Sequence, residues 1–167
     1  MLPGMLRLER LRTGHADALL AFERDNREYF TRSIPDRGDA YFAEFTARHR
    51  ALLAEQEAGA CHFHVVLDED GELIGRVNLV DVEDGGAELG YRIGERVAGR
   101  GMATAAVGEV CRLAATAYRL SALTAVTTHD NMASMTVLER NGFTAVEHMS
   151  IGGRPGVRYR RRLFAPH

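Results

Sequence analysis

From Arg96 to Thr104 the chain reads Arg-Val-Ala-Gly-Arg-Gly-Met-Ala-Thr, a turn spaced by two glycines that opens directly into a long helical pattern. Upstream, Ala87 to Ile93 alternates as a strand does. Downstream, Ala103, Ala106, Val107, Val110, Leu113, Ala114 and Ala117 recur on one helical face. Strand, glycine turn and helix in that order leave the first helical amides unpaired, with the partial positive charge of the helix directed at the turn. Gly99 and Gly101 permit close backbone approach, Arg96 and Arg100 add charge, and Thr104 adds a hydroxyl, so the expected occupant is an anion, a diphosphate in particular. A simple turn is the plainer alternative. Other phosphate motifs fail: the chain has no lysine for a P-loop, and Thr104 stands where the dinucleotide fingerprint wants a third glycine.

Arg96-x-x-Gly99-x-Gly101-x-Ala103 resembles the acyl-CoA pyrophosphate motif of the GNAT superfamily of N-acyltransferases, where Gln or Arg, two residues, Gly, one residue and Gly or Ala follow one another. Further on, Asn131-x-x-Ser134-x-x-Val137-Leu138-Glu139-Arg140-Asn141-Gly142-Phe143 looks like the superfamily's next block. Ser134, with Leu138 where many members carry Tyr, is similar to the ribosomal-protein N-terminal acetyltransferase branch (RimJ/RimL type). The resemblance implies a single α/β (α+β) domain over residues 4–165, with a mixed, mostly antiparallel sheet of about seven strands flanked by about four helices and splayed between strands four and five. It implies acetyl-CoA as co-substrate and an amine as acceptor. The cofactor contacts would come from Arg92, Ile93, Arg96, Gly99, Arg100, Gly101, Met102, Ala103, Thr104, Asn131 and Arg140, and no metal is called for.

The length suits one domain with an apolar core that needs no staples. Cys61 and Cys111 are too few for a disulfide framework, and nothing at the N-terminus combines a basic start with an apolar run, so a cytoplasmic protein is expected. No stretch approaches membrane-spanning length. A net charge of −2 argues against general nucleic-acid binding, and the arginines at 158, 160, 161 and 162 read as the solvated side of a last strand. A homodimer is left open.

In order, Leu6 to Leu11 reads as a strand, a helix follows Thr13, and a second helix runs from Phe42 to near Gly59 after the Thr31–Gly38 break. Strands are expected over Cys61–Leu67, Glu72–Asp81, Ala87–Gly94 and Ser121–Thr128, with a helix over Met102–Arg119. Asn131 then starts a helix that Asn141-Gly142 stops, before a hairpin of Phe143–Ser150 and Arg158–Phe164. Cys61, His62 and His64 invite a metal reading. On a strand, however, the two histidines face one side and the cysteine the other, so half-buried or surface histidines are expected.

Acyl transfer to an amine needs a held thioester, a neutral amine, an oxyanion donor and an acid for the leaving thiolate. The edge of strand four around Arg92 and Ile93 would pair with the pantetheine arm as an added strand does. Asn131 is a good N-cap in any case, and the resemblance adds a side-chain contact to pantetheine. Ser134 would donate to the leaving sulfur, with an ordinary helix serine as the alternative. Glu88 on strand four is the base chosen, directly or through water; an ion pair with an arginine is its plainer role, and His129 is its rival. At pH 7, deprotonating an α-amine costs about 1.4 kcal/mol and a lysine about 4.6 kcal/mol, so a weak base site suits an N-terminus or a small amine. The resemblance places acceptor specificity in the loop carrying Arg32, Ser33 and Asp36. It favours a peptide α-amine, with a polyamine or antibiotic amine, or a CoA-binding module without catalysis, as alternatives.

Overall fold

The computed structural model describes residues 6–163, whose strands are β1 (Arg7–Arg10), β2 (His62–Leu67), β3 (Leu73–Glu83), β4 (Gly86–Ile93), β5 (Ala122–Thr128), β6 (Thr144–Ile151) and β7 (Arg154–Arg162). They form one sheet in the order β1-β2-β3-β4-β5-β7-β6. Every pairing is antiparallel except β4 with β5. The expected mixed sheet of seven strands is therefore the one observed. Its hairpins follow their turn residues: Asp84 and Gly85, at φ 49° and 78°, supply the two left-handed positions that a tight β3–β4 turn needs. Strand β7 begins four residues earlier than its basic cluster suggests, because Gly152-Gly153 alone makes the turn and Pro155 pairs opposite Ser150. Phe164, expected at its end, lies outside the described residues.

The helices are α1 (Ala16–Asp25), α2 (Arg27–Thr31), α3 (Asp39–Ala43), α4 (Phe45–Glu57), α5 (Met102–Thr116) and α6 (Met132–Arg140). Six stand where about four were expected, since each of the two N-terminal patterns is broken once. At the first break Asn26 leaves helical geometry, and its Nδ2 donates to the Phe22 carbonyl at 2.9 Å. Its Oδ1 accepts from the Glu95 amide at 3.0 Å, which ties the end of α1 to the loop after β4. At the second break Glu44, at φ −104° and ψ 17°, separates α3 from α4.

Strand alternation sorts the core onto the two sides of the sheet. Val77, Leu79, Leu89 and Leu123 pack with Ala106, Val107, Val110 and Ala114 of α5. Phe63, Val65 and Leu67 pack on the other side with Leu19, Phe22, Phe30 and Phe45 of α1, α2 and α4. Gln56 of α4 locks that second layer to the sheet, donating to the Leu11 carbonyl at 2.9 Å and accepting from the Phe63 amide at 2.8 Å.

His62 and His64 are buried, where half-buried or surface positions were expected. Tyr118, just beyond α5, folds over both. Its ring stacks on His62 at 3.7 Å between centroids, and its hydroxyl lies 2.6 Å from His64 Nε2. His64 Nδ1 faces the Val77 carbonyl at 3.1 Å, which can only accept, so Nδ1 carries the proton and Nε2 accepts from Tyr118. That arrangement holds a neutral ring, and burial pushes the His64 pKa down to about 4.

Because this folded value lies below the ordinary histidine value, the unfolded chain binds the extra proton first as pH falls. The contribution to stability is complete above about pH 6.5 and is lost towards pH 4. Unfolding free energies measured across that window should show a steep acid loss in the wild type and a shallower one in His64→Gln, with burial of His62 leaving some slope behind. Identical slopes would mean that another group governs the acid limb.

Candidate active site

Strands β4 and β5 pair over only three positions, Gly86 with Ala122, Ala87 with Leu123 and Glu88 with Thr124. Beyond Glu88 they part. Strand β4 continues along β3 to Ile93, while β5 continues along β7 to Thr128. From Leu89 to Ile93 the facing edge of β4 has no strand partner, and a cleft of about 620 Å³ opens there. This is the splay expected between strands four and five.

One wall of the cleft is the glycine turn. Gly99 and Gly101 both sit at φ 76°, the left-handed region, and Gly101 is the N-cap of α5 without any side-chain cap. The first α5 bond to an earlier turn runs from the Ala105 amide to the Gly101 carbonyl, so the amides of Met102, Ala103 and Thr104 have no helical acceptor. A Cβ at either glycine would meet nothing within 4 Å. The glycines are thus required for backbone sign, and the space before them is open to a ligand. Uncapped helix amides beside open space, together with an unpaired strand edge, fit a diphosphate joined to an amide-bearing arm.

The facing wall is α6. Asn131 caps it as expected, its Oδ1 accepting from the Ser134 amide at 3.2 Å, which leaves the Asn131 NH₂ free to donate into the cleft. Ser134 uses its amide for the cap, so its hydroxyl is available, and it stands beside the Tyr91 phenol from β4. Burial pushes the Tyr91 hydroxyl above its ordinary range, while the Ser134 hydroxyl beside it works the other way. At the far end of α6, Gly142 at φ 81° and the bond from the Phe143 amide to the Leu138 carbonyl at 3.0 Å close the helix. Asn141 Nδ2 donates to the Thr104 carbonyl at 3.1 Å and the Val137 carbonyl at 2.9 Å, fastening α6 to the first turn of α5.

Among the expected cofactor contacts, Arg92, Ile93, Gly99, Gly101, Met102, Ala103, Thr104, Asn131 and Arg140 line the cleft, and Arg96 and Arg100 do not. Arg96 turns outward because its neighbour Val97 is buried, and its guanidinium pairs with Glu72 at 2.9 Å and Asp68 at 3.5 Å on the β2–β3 turn. Neither expected base reaches the cleft wall. Glu88 lies at the last position where β4 and β5 are still paired, and it faces a separate depression with Thr124, Arg158 and Arg160. His129 is exposed, with Nε2 3.3 Å from His148 Nδ1.

Sequence reasoning missed Tyr91, Asn141 and a buried charge cluster. Glu23 of α1 is 1% exposed and is shared by three guanidiniums: Arg37 at 3.0 Å, Arg76 at 3.1 Å and Arg92 at 3.5 Å. The Tyr41 hydroxyl donates to it as well, at 3.4 Å. Burial and then the neighbouring Arg37 bring Arg92 down to about 10. Only the helical period of α1, which puts Glu23 beside Leu19 and Phe22, hinted at an inward carboxylate.

Comparison with known proteins agrees with this geometry. The family described as acetyltransferase (GNAT) domain matches residues 5–144. A probable N-acetyltransferase of Bacillus subtilis, YjcK, is 28% identical over 134 residues, 77% of this chain and 74% of its own. The crystal structure of ribosomal-protein-S5-alanine acetyltransferase from Vibrio fischeri superposes with a TM-score of 0.87 at 19% identity, covering 94% of this chain and 92% of that one. Spermidine N-acetyltransferase from Vibrio cholerae, in complex with CoA and spermine, gives a TM-score of 0.76 at 21% identity over 94% and 95%.

A diphosphate grip at the 99–104 turn has a thermal signature. CoA should raise the melting temperature by mass action, and pantetheine, which lacks the diphosphate, should do so far less. Gly101→Ala, forced into a left-handed position, should cost about 1 kcal/mol in the free protein and shrink the CoA increment. Equal increments from CoA and pantetheine would remove the cradle.

Proposed function

The chain belongs to the acetyltransferase (GNAT) domain family, and from that premise we propose that it moves an acetyl group from acetyl-CoA to the α-amine of a peptide or protein N-terminus. The observation that carries the acceptor class is the charge of the cleft. Its charged wall residues are Arg92, Arg140 and Arg154, and no carboxylate of the described residues lines it. A polycation would meet three guanidiniums and nothing to pair with, which speaks against a polyamine or aminoglycoside. A single amine, neutral when it attacks, meets no such penalty.

Acetyl-CoA supplies the thioester carbonyl that the amine attacks. The chain's own part is to hold and to donate. The amides of Met102, Ala103 and Thr104 take the diphosphate, and Arg140 adds charge at the same end of the cleft. The β4 edge from Leu89 to Ile93 offers its backbone to the pantetheine amides, and the Asn131 NH₂ donates from across the gap. Ser134 holds a proton at its Oγ for the departing sulfur; a thiolate with a pKa near about 8.5 needs little more than that. The buried Tyr91 phenol stands beside the Ser134 hydroxyl on the facing wall. With Glu88 and His129 off the cleft wall, the amine gives up its proton to water, and Glu88 takes part only through water. That is affordable for an α-amine, at about 1.4 kcal/mol at pH 7, and not for a lysine. A working cleft with Ser134 on its wall also favours an enzyme over a CoA-binding module. The buried free thiols Cys61 and Cys111 suit a cytoplasmic setting, and we take 4–165 as one catalytic unit.

Thiol release with short peptides bearing free Ala, Ser or Met N-termini should exceed that with spermidine and aminoglycosides. Its rate should rise from pH 7 to 8.5 as the amine loses its proton. Small polycations turned over a hundredfold better than every peptide would overturn the acceptor assignment. Ser134→Ala should lower kcat roughly tenfold, about 1.4 kcal/mol, while the CoA melting increment is kept, because the hydroxyl acts only as charge develops on sulfur. An unchanged kcat would leave the leaving-group role without support.

A further inference from the structure

The cluster around Glu23 is unbalanced. Three guanidiniums converge on one carboxylate, and among the described residues no other carboxylate lies within ion-pair distance of Arg37, Arg76 or Arg92. The nearby acids are already engaged: Asp36 and Asp39 hold Arg27 at 2.7 and 2.8 Å, and Glu95 holds Arg32 at 3.3 Å. Glu23 carries a single negative charge, and its Oε2 already takes Arg37, Arg76 and the Tyr41 hydroxyl. Two positive charges therefore remain uncompensated at the base of this layer.

Their position matters more than their number. Arg92 lies on the cleft wall, with its guanidinium over the ring of Phe30, another wall residue. Arg37 follows the wall residues Ser33-Ile34-Pro35 in sequence without lining the cleft itself; its side chain is 23% exposed and its guanidinium lies over the Tyr41 ring. Arg76 is sealed behind them at 6% and sustains the field without reaching solvent. A low-dielectric site with surplus guanidinium charge binds carboxylates well, and Arg offers them a planar fork of donors.

We propose that Arg92, its surplus charge sustained by Arg37 and Arg76 behind it, forms a carboxylate subsite on the cleft wall, so that the preferred acceptors carry an anionic group close to the reacting amine. The proposal rests on the acetyltransferase reading above and narrows its acceptor. The carboxylate has two possible sources, an acidic side chain near a peptide N-terminus and the α-carboxylate of a free amino acid. Both present the same chemistry to the arginines.

Calorimetric binding of acetylated products to the CoA-bound protein tests this without requiring turnover. The probes are N-acetyl-Ser-Asp-amide against N-acetyl-Ser-Asn-amide, and N-acetylserine against N-acetylserinamide. At least one acidic probe should bind tenfold or more tightly than its neutral twin, and the pair that shows the preference identifies the source. Arg37→Gln should reduce that preference to less than threefold while keeping the CoA melting increment. The subsite is overturned if neither acidic probe outbinds its twin, or if the preference survives Arg37→Gln. Peptides acetylated with no acidic preference would remove the subsite and leave the acetyltransferase reading standing.

Discussion

Strands β4 and β5 stay paired for three residues and then separate, and the rest of the molecule is arranged to keep them apart. Unpaired strand edges inside a protein are costly, because each buried amide and carbonyl that loses water must find another partner. The gap persists because both sides are secured elsewhere. Strand β4 is held along β3 up to the bond from the Gly94 amide to the Ile74 carbonyl at 2.8 Å, and Asn26 then fixes the next amide, that of Glu95. Strand β5 is held along β7 as far as the bond from the His129 amide to the Pro155 carbonyl at 3.0 Å. The helices at the mouth of the gap are fastened to each other through Asn141 and Thr104. The edge left open is one that a ligand with amides of its own can complete.

The second constraint is electrostatic. Breaking a buried ion pair by removing one partner typically costs about 3–5 kcal/mol, because the survivor keeps its desolvation penalty and loses its compensation. At Glu23 this asymmetry runs in a particular direction. Removing the carboxylate would leave three guanidiniums facing one another, whereas removing Arg37 or Arg92 relieves repulsion and still leaves Glu23 paired. Burial first, and then the neighbouring guanidiniums, lower Arg76 and Arg92. Glu23 is therefore the group this layer cannot lose.

What the sequence disclosed was mostly local. The Asn131 cap, the Gly142 stop and the left-handed glycines of the cradle each follow from backbone requirements within a few residues, and each stands where expected. Misplaced features depended on distant partners. Arg96 reads as a phosphate contact until the β2–β3 turn, more than twenty residues back in the chain, supplies Asp68 and Glu72. Alternation gives the face on which Glu88 lies, but not that the splay begins one residue after it. His62 and His64 look like surface histidines because nothing near them in sequence announces Tyr118. Tyr91 went unseen for a related reason: its importance comes from Ser134, which arrives from the opposite wall.

This division has a structural counterpart in the two layers of the core. The layer of α5 and α6 carries the cradle, the cap and Ser134, and it is built from backbone geometry and small apolar side chains. The layer of α1 to α4 carries the Glu23 cluster, long-range pairs of large polar side chains set among aromatic and aliphatic ones. The sheet separates them. Polar links between the acceptor layer and the end of β4 are few: Asn26 to the Glu95 amide, Arg32 to the Glu95 carboxylate, and Glu23 to Arg92. Substitutions around Arg37 or along residues 31–38 can therefore alter that part of the cleft wall while the first amides of α5 remain undisturbed, because the coupling between the halves passes through β4 and the loop that follows it.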